Sequence, residues 1–321
     1  NYFWENGKRF SASADEDAFI QAAIETFDVQ PEEIRKYLSK NAEKYDLTAH
    51  IFLEKSLHKL STYLSGSTLR SFFQMYKLDI NSSLDAVNRQ TFSDPQLIQL
   101  FDRFATYNGS SPYQTPGIMS MIPHLEMHFG TFYPAGGMHA IVQSLYDLAC
   151  EQGITFSFNS PVRKIDYSGK NVSGVVLDET TESADIIVSN MDIFSTYKHL
   201  MPDVKAPGKV LQQERSSSAL IFYWGIRRSF EDLDLHNIFF SDNYAEEFRH
   251  IFELKEVFSD PTVYINVTCK EEPGDAPPGC ENWFVMINAP GNFGQDWEQI
   301  RDQARENILS KLHRLLGVDI A

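Results

Sequence analysis

Residues 129–190 pass from a glycine corner to a helix and then to strands, and few folds accept that order. The twin glycine Gly136-Gly137 opens a helical pattern in which Met138, Ile141, Val142, Leu145, Leu148 and Ala149 share one face. The amphipathicity predicts that this face packs on a sheet. From Ile154 the periodicity changes to two. Ile154–Phe158, Val162–Tyr167 and Val172–Leu177, joined by Asn-Ser-Pro and Ser-Gly-Lys-Asn turns, predict an antiparallel meander. Ala184–Val188 is a continuous apolar run of the type buried in a parallel sheet.

The remainder supplies helices first and strands later. Tyr2–Phe10 alternates around Asn6-Gly7 and predicts a hairpin with a two-residue turn. Helices are expected at Asp15–Phe27 and from Pro31 onward, where a first-position proline precedes two acids. Leu97, Phe101, Phe104 and Ala105 form a stripe ending before Asn108-Gly109. Strands are expected at Ala219–Trp224, Ile238–Phe240, Val263–Val267 and Trp283–Ile287, and a last helix over about Asp296–Leu316. The fold class is therefore α/β (α+β), with residues 1–130 mostly helical, 131–200 carrying the glycine corner and meander, and 201–321 rich in strands.

Charge narrows the function. Lys and Arg total 28 against 44 Asp and Glu, a net charge of −16, so nucleic acid is excluded as a partner. The three cysteines (Cys150, Cys269, Cys280) are too dispersed for a disulfide framework or a zinc site and read as reduced thiols. His124 and His128, spaced i, i+4, lack a third ligand, so no metal is expected. No apolar run reaches the length of a membrane span. Tyr63, Leu64, Leu69, Phe72, Phe73 and Met75 nevertheless make a dense apolar cluster, read either as core or as a lipid-docking patch.

Several segments in order carry a family resemblance: Tyr107-Asn-Gly-Ser-Ser-Pro112, Tyr133-Pro-Ala-Gly-Gly-Met138, Asn159-Ser-Pro-Val-Arg-Lys-Ile165, Asp185-Ile-Ile-Val-Ser-Asn190, Ser216-Ser-Ser-Ala219, His236-Asn-Ile-Phe-Phe-Ser241 and Asp275-Ala-Pro-Pro-Gly279. Together they resemble the carotenoid desaturase family of FAD-dependent oxidoreductases, of the bacterial phytoene desaturase type. The resemblance implies the central part of a glutathione-reductase-type FAD domain with an interleaved helix-and-sheet substrate domain. It implies FAD as cofactor and an apolar polyene as substrate, with hydride passing from substrate to flavin. It places Gly136, Gly137 and Met138 near the flavin, Val162 where a strand backbone meets the adenine, and Ser189 and Asn190 at the end of the strand beneath the cofactor. It also implies a cytoplasmic enzyme with peripheral contact at the inner membrane face.

The chain departs from the family pattern at three places. The Gly-x-Gly-x-x-Gly loop that holds a pyrophosphate is not found, nor is the glycine-rich segment that closes over the flavin. The chain also begins at Asn1, inside the expected hairpin, so it reads as a fragment that neither holds FAD tightly nor acts alone. Around Asp94–Phe101, where an acid and an arginine are expected near the flavin, no basic residue occurs. Asp102 and Arg103, one turn later, are weak catalytic candidates, and an exposed helical Asp-Arg pair is the plainer reading. The alternatives are a protoporphyrinogen- or amine-oxidase-like flavoenzyme, and a non-catalytic module that binds an apolar ligand or partner.

Overall fold

The structure, a computed structural model, describes residues 1–52, 54–56, 58–63, 74–169 and 171–320. It divides into two compact units, Asn1–Met138 with Ser216–Ala321, and His139–Arg215. Among the described residues, β1 (Tyr2–Phe3) and β2 (Arg9–Phe10) open the chain. β3 (Lys164–Ser168), β4 (Asn171–Val176) and β5 (Thr181–Ser183) lie in the second unit, and β6 (Ser218–Ile226), β7 (His236–Phe239), β8 (Val263–Asn266) and β9 (Glu281–Ala289) complete the first.

In the first unit the expected hairpin forms, but with a wider turn. Trp4 N donates to Lys8 O at 3.1 Å and Gly7 N to Trp4 O at 3.0 Å. Gly7 takes a positive φ of 83° and Asn6 does not, so three residues rather than two make the turn. The helices start where side chains can satisfy their free amides. Asp15 Oδ1 accepts from Ala18 N at 2.8 Å ahead of Glu16–Thr26. Asp94 does the same for Gln96 N and Leu97 N at the helix Pro95–Asp102, where Pro95 takes a position that needs no donor.

One six-stranded sheet, ordered β2-β1-β7-β8-β9-β6, organises this unit. β1 runs parallel to β7, and the other pairs are antiparallel. Alternation sends successive residues to opposite faces. Phe3, Phe239, Val263, Ile265, Trp283, Val285 and Ile287 pack with Ala304, Ile308 and Leu312 of the helix Trp297–Leu316. Tyr2, Ile238 and Phe240 join a second core with Phe19, Leu97 and Phe101 on the other side. Lys311, only 1% exposed, donates to Phe240 O at 2.9 Å and Pro261 O at 2.7 Å and lies 2.8 Å from an Asp260 oxygen. Among the described residues of this unit, nothing packs over that second face toward its β6 edge, where Ile221 is 40% and Tyr223 80% exposed.

The second unit contains a smaller sheet, β3-β4-β5, antiparallel throughout. The meander exists, displaced by one element. Val162–Tyr167 and Val172–Leu177 correspond to β3 and β4, the third strand is Thr181–Ser183, and Ile154–Phe158 forms no ladder. Phe156 and Phe158 instead cluster with Tyr146 of the helix Met138–Glu151, ring centroids 4.6 and 5.9 Å away. Ala184–Val188 likewise forms no strand: Ala184 N donates to Ser173 O at 3.1 Å, and beyond that bond Ile186 is 81% and Val188 86% exposed. A run apolar on both faces becomes a buried strand only between two partners, and among the described residues Ser173 meets its first residue alone. The expected packing of the Met138–Glu151 helix fails for a related reason. None of its residues is buried, because no apolar surface of the unit covers its Met138, Ile141, Val142, Leu145 and Leu148 face. Of the apolar cluster at residues 63–75, Leu64, Leu69, Phe72 and Phe73 lie outside the described residues, while Tyr63 and Met75 are partly exposed.

Candidate functional site

Gly136 and Gly137 take φ values of 81° and 78°, a left-handed pair that side chains rarely enter. Gly137 N closes the turn on Pro134 O at 2.9 Å, and a Cβ at Gly137 would meet the Tyr133 hydroxyl at 3.3 Å. Gly136 N donates to Glu272 Oε1 at 2.5 Å. The turn therefore presents an amide that already holds an anionic oxygen. Met138 begins the helix and is exposed. The other three residues expected at the cofactor lie in the second unit. Val162 is exposed just ahead of β3, Ser189 shares a 2.9 Å hydroxyl contact with Thr196, and Asn190 is exposed.

Two motifs more than a hundred residues apart meet in the first unit. Gly109 O accepts from Ser217 N at 2.7 Å, and an added Cβ at Gly109 would stand 2.7 Å from the Ser216 Cβ. Its φ of 58° is also left-handed. Gly109→Ala should therefore cost about 2–4 kcal/mol through clash and strain together, read as a lower urea midpoint at unchanged m-value. A loss under half a kilocalorie would show that the Ser216 segment yields freely.

Asp102 and Arg103 are not an exposed pair. Neighbours in a helix point about 100° apart, and here each finds its own surroundings. Asp102, 1% exposed, accepts from Asn88 Nδ2 at 2.8 Å, and Asn88 Oδ1 accepts from Tyr37 at 2.7 Å. Burial, with the Asp85 carboxylate nearby, raises the Asp102 pKa to about 8 against the pull of the Asn88 hydrogen bond. Asp102 lines a cavity of about 420 Å³ with Trp4, Gln99, Tyr113, Ser241 and Tyr244. The buried Tyr244 hydroxyl finds no partner among the described residues. Arg103 instead donates to the Tyr2 hydroxyl at 3.0 Å, its guanidinium 4.8–5.6 Å from the ring centroids of Tyr2, Phe104 and Tyr107. Tyr107 also hydrogen-bonds Glu126. Asp102 could exchange a proton near neutral pH, while Arg103 braces an aromatic cluster.

On the open sheet face, sequence reading marks His236 as part of a motif and does not single out Tyr264 or Asn266. His236 Nδ1 lies 2.7 Å from the Tyr264 hydroxyl and 3.3 Å from Asn266 Nδ2. Strand alternation could have placed each residue on a face, but only register sets His236 opposite Asn266. Among the described residues no three His, Cys, Asp or Glu side chains are grouped to hold a metal, and no helix is long and apolar enough to cross a membrane.

Known proteins match this architecture. The sequence profile of the flavin containing amine oxidoreductase family matches residues 1–319. A 1-hydroxycarotenoid 3,4-desaturase from Flavobacterium sp. (strain P99-3) is 55% identical over all of this chain and 65% of its own length. A phytoene desaturase from Fusarium fujikuroi is 27% identical over all of this chain and 60% of its own. The chain thus spans somewhat less than two thirds of these relatives. In three dimensions, an oxidoreductase from Methanosarcina mazei superposes with a TM-score of 0.56 at 16% identity, covering 83% of this chain and 61% of that one.

Proposed function

Because the chain belongs to the flavin containing amine oxidoreductase family, we propose that it is the substrate-binding body and part of the FAD-binding region of a carotenoid desaturase-like enzyme. The 55% identity to a hydroxycarotenoid desaturase over the whole chain carries this reading. It also favours a polyene over an amine or a porphyrinogen as substrate. The reaction is removal of hydrogen from a CH–CH unit, lengthening the conjugated system.

The residues present fit part of an FAD site. A left-handed glycine pair with an amide that already holds a carboxylate oxygen suits close approach by a flat ring or an anionic group. The apolar face of Met138–Glu151 and the Ile186–Val188 run are the kind of surface that a larger glutathione-reductase-type domain covers. When bound, FAD supplies the hydride acceptor. The protein's own part is to hold the polyene straight and dry, which the apolar residues Ile221, Tyr223, Phe284 and Met286 on the open sheet face suit. A substrate this apolar is held in lipid, so we place the enzyme at a membrane surface.

In the full-length enzyme, incubation with an acyclic carotenoid should give a product absorbing at longer wavelength. No carotenoid shift under turnover conditions would overturn the reading. Gly137→Val should lower kcat/KM about tenfold or more, because the added bulk stands where close approach is required. Turnover equal to the parent enzyme would reduce the glycine pair to a simple bend.

A further inference from the structure

We infer that His236, Tyr264 and Asn266 form a recognition site for an alcohol group, which holds the hydroxylated end of an acyclic carotenoid against the open face of the sheet. The inference rests on the polyene reading above and names the end group that the protein selects.

Pairing places all the relevant side chains on one face. Tyr223 stands opposite Phe284, and Ile221 opposite Met286. Met286 stands opposite Tyr264, and Phe284 opposite Asn266. Asn266 in turn stands opposite His236, and Tyr264 opposite Ile238. Directly paired residues share a face, and neighbouring strands lie about 4.8 Å apart. A rod laid across β6, β9, β8 and β7 therefore travels roughly 14 Å. It meets Ile221, Tyr223, Phe284 and Met286 first, with Asn282 and Asn288 flanking that path on the same face, and reaches Tyr264, His236 and Asn266 at its far side. The apolar stretch matches a polyene, and the polar end matches a substituent on its terminus.

The protonation pattern of that end is set by one carbonyl. Asn266 Nδ2 donates to Leu235 O at 2.9 Å, which fixes the orientation of the amide. The same nitrogen faces His236 Nδ1 at 3.3 Å, where two N–H groups would repel, so this contact favours the neutral tautomer in which Nδ1 is bare. The Tyr264 hydroxyl, 2.7 Å from Nδ1, then spends its proton on that nitrogen. Burial pulls the His236 pKa below its ordinary value, which keeps the ring neutral. The ring proton is thus on Nε2. The pair offers one N–H donor at His236 Nε2 and, beside the hydrogen bond that the Tyr264 oxygen takes from the Asn266 side chain, one remaining acceptor position on that oxygen, and an alcohol both donates and accepts. His236 is exposed in the free protein, so discrimination arises once the bound polyene has excluded water: a hydrocarbon end then leaves both groups unpaired.

The test uses the full-length enzyme with two acyclic carotenoids of the same chromophore, one bearing a terminal tertiary hydroxyl and one without it. The readout is the ratio of their kcat/KM values. The parent enzyme should favour the hydroxylated substrate by about tenfold or more. Tyr264→Phe removes one oxygen and should lower that ratio by roughly tenfold. His236→Leu should lower it likewise, whereas His236→Gln, whose amide nitrogen replaces Nε2, should restore most of it. A ratio unchanged in Tyr264→Phe, or a parent enzyme that oxidises both carotenoids equally well, would overturn the inference and leave the desaturase reading standing. A parent enzyme that oxidises neither would defeat that reading and the inference with it.

Discussion

Asp102→Asn is expected to make the protein more stable at pH 8 while leaving it nearly unchanged at pH 4. An unfolded aspartate titrates near 3.8, and the folded Asp102 near 8, raised chiefly by burial. Between those values the folded state keeps a proton that the unfolded chain releases. The stabilising contribution of that proton is complete below about pH 4 and is lost as pH rises through 8. Asparagine reproduces the protonated acid. Its oxygen can still accept from Asn88 Nδ2, and its amide can face the Asp85 carboxylate as the acid proton does. The variant should gain about 2–4 kcal/mol over the parent at pH 8, and the difference between the two should shrink toward zero at pH 4. Urea unfolding at several pH values measures this. A difference between parent and variant that does not grow from pH 4 to pH 8 would show that Asp102 is ionised in the fold.

Lys311→Met is expected to be the most destabilising single change at the back of the sheet. The ammonium is buried between two carbonyls, Phe240 O and Pro261 O, and the Asp260 carboxylate. Methionine fills nearly the same space but donates nothing, so both carbonyls lose their partner and Asp260 loses its nearest cation. The loss should be about 3–5 kcal/mol, seen as a fall in the urea midpoint. A cost below about 1 kcal/mol would mean that water replaces the lysine and that the helix Trp297–Leu316 does not depend on it.

Two elements show how far local reading reaches. The helix Pro95–Asp102 is legible because its signals are near neighbours: Asp94 caps it, Pro95 fits its first position, and Leu97 and Phe101 lie one turn apart. The meander is legible only in part. β3 and β4 pair across a tight turn, and their alternation reports them. Ile154–Phe158 and Ala184–Val188 carry equally good strand patterns and yet form no strand. A strand pattern states which face a segment would bury, but a ladder also needs a neighbour at hydrogen-bond distance. Likewise, Gly136-Gly137 is recognisable as a helix entrance, while its contact with Glu272 depends on a loop that is remote in sequence.

From the sequence alone came what contacts within a few residues determine: the positions of the four longest described helices, the strands of the large sheet, the glycine corner, the acidity that excludes polyanions and the carotenoid desaturase resemblance. Tertiary structure decided exposure and encounter. Asp102 sits in a helix whose periodicity says nothing of Asn88 and Asp85, yet those groups and its burial turn an expected surface acid into one that titrates near 8. His236 and Tyr264 are 28 residues apart and meet because β7 pairs with β8 in one register. Periodicity is a property of one segment. Desolvation and hydrogen bonding between segments depend on which surfaces the whole chain brings together, and that is where the chemistry of this protein is set.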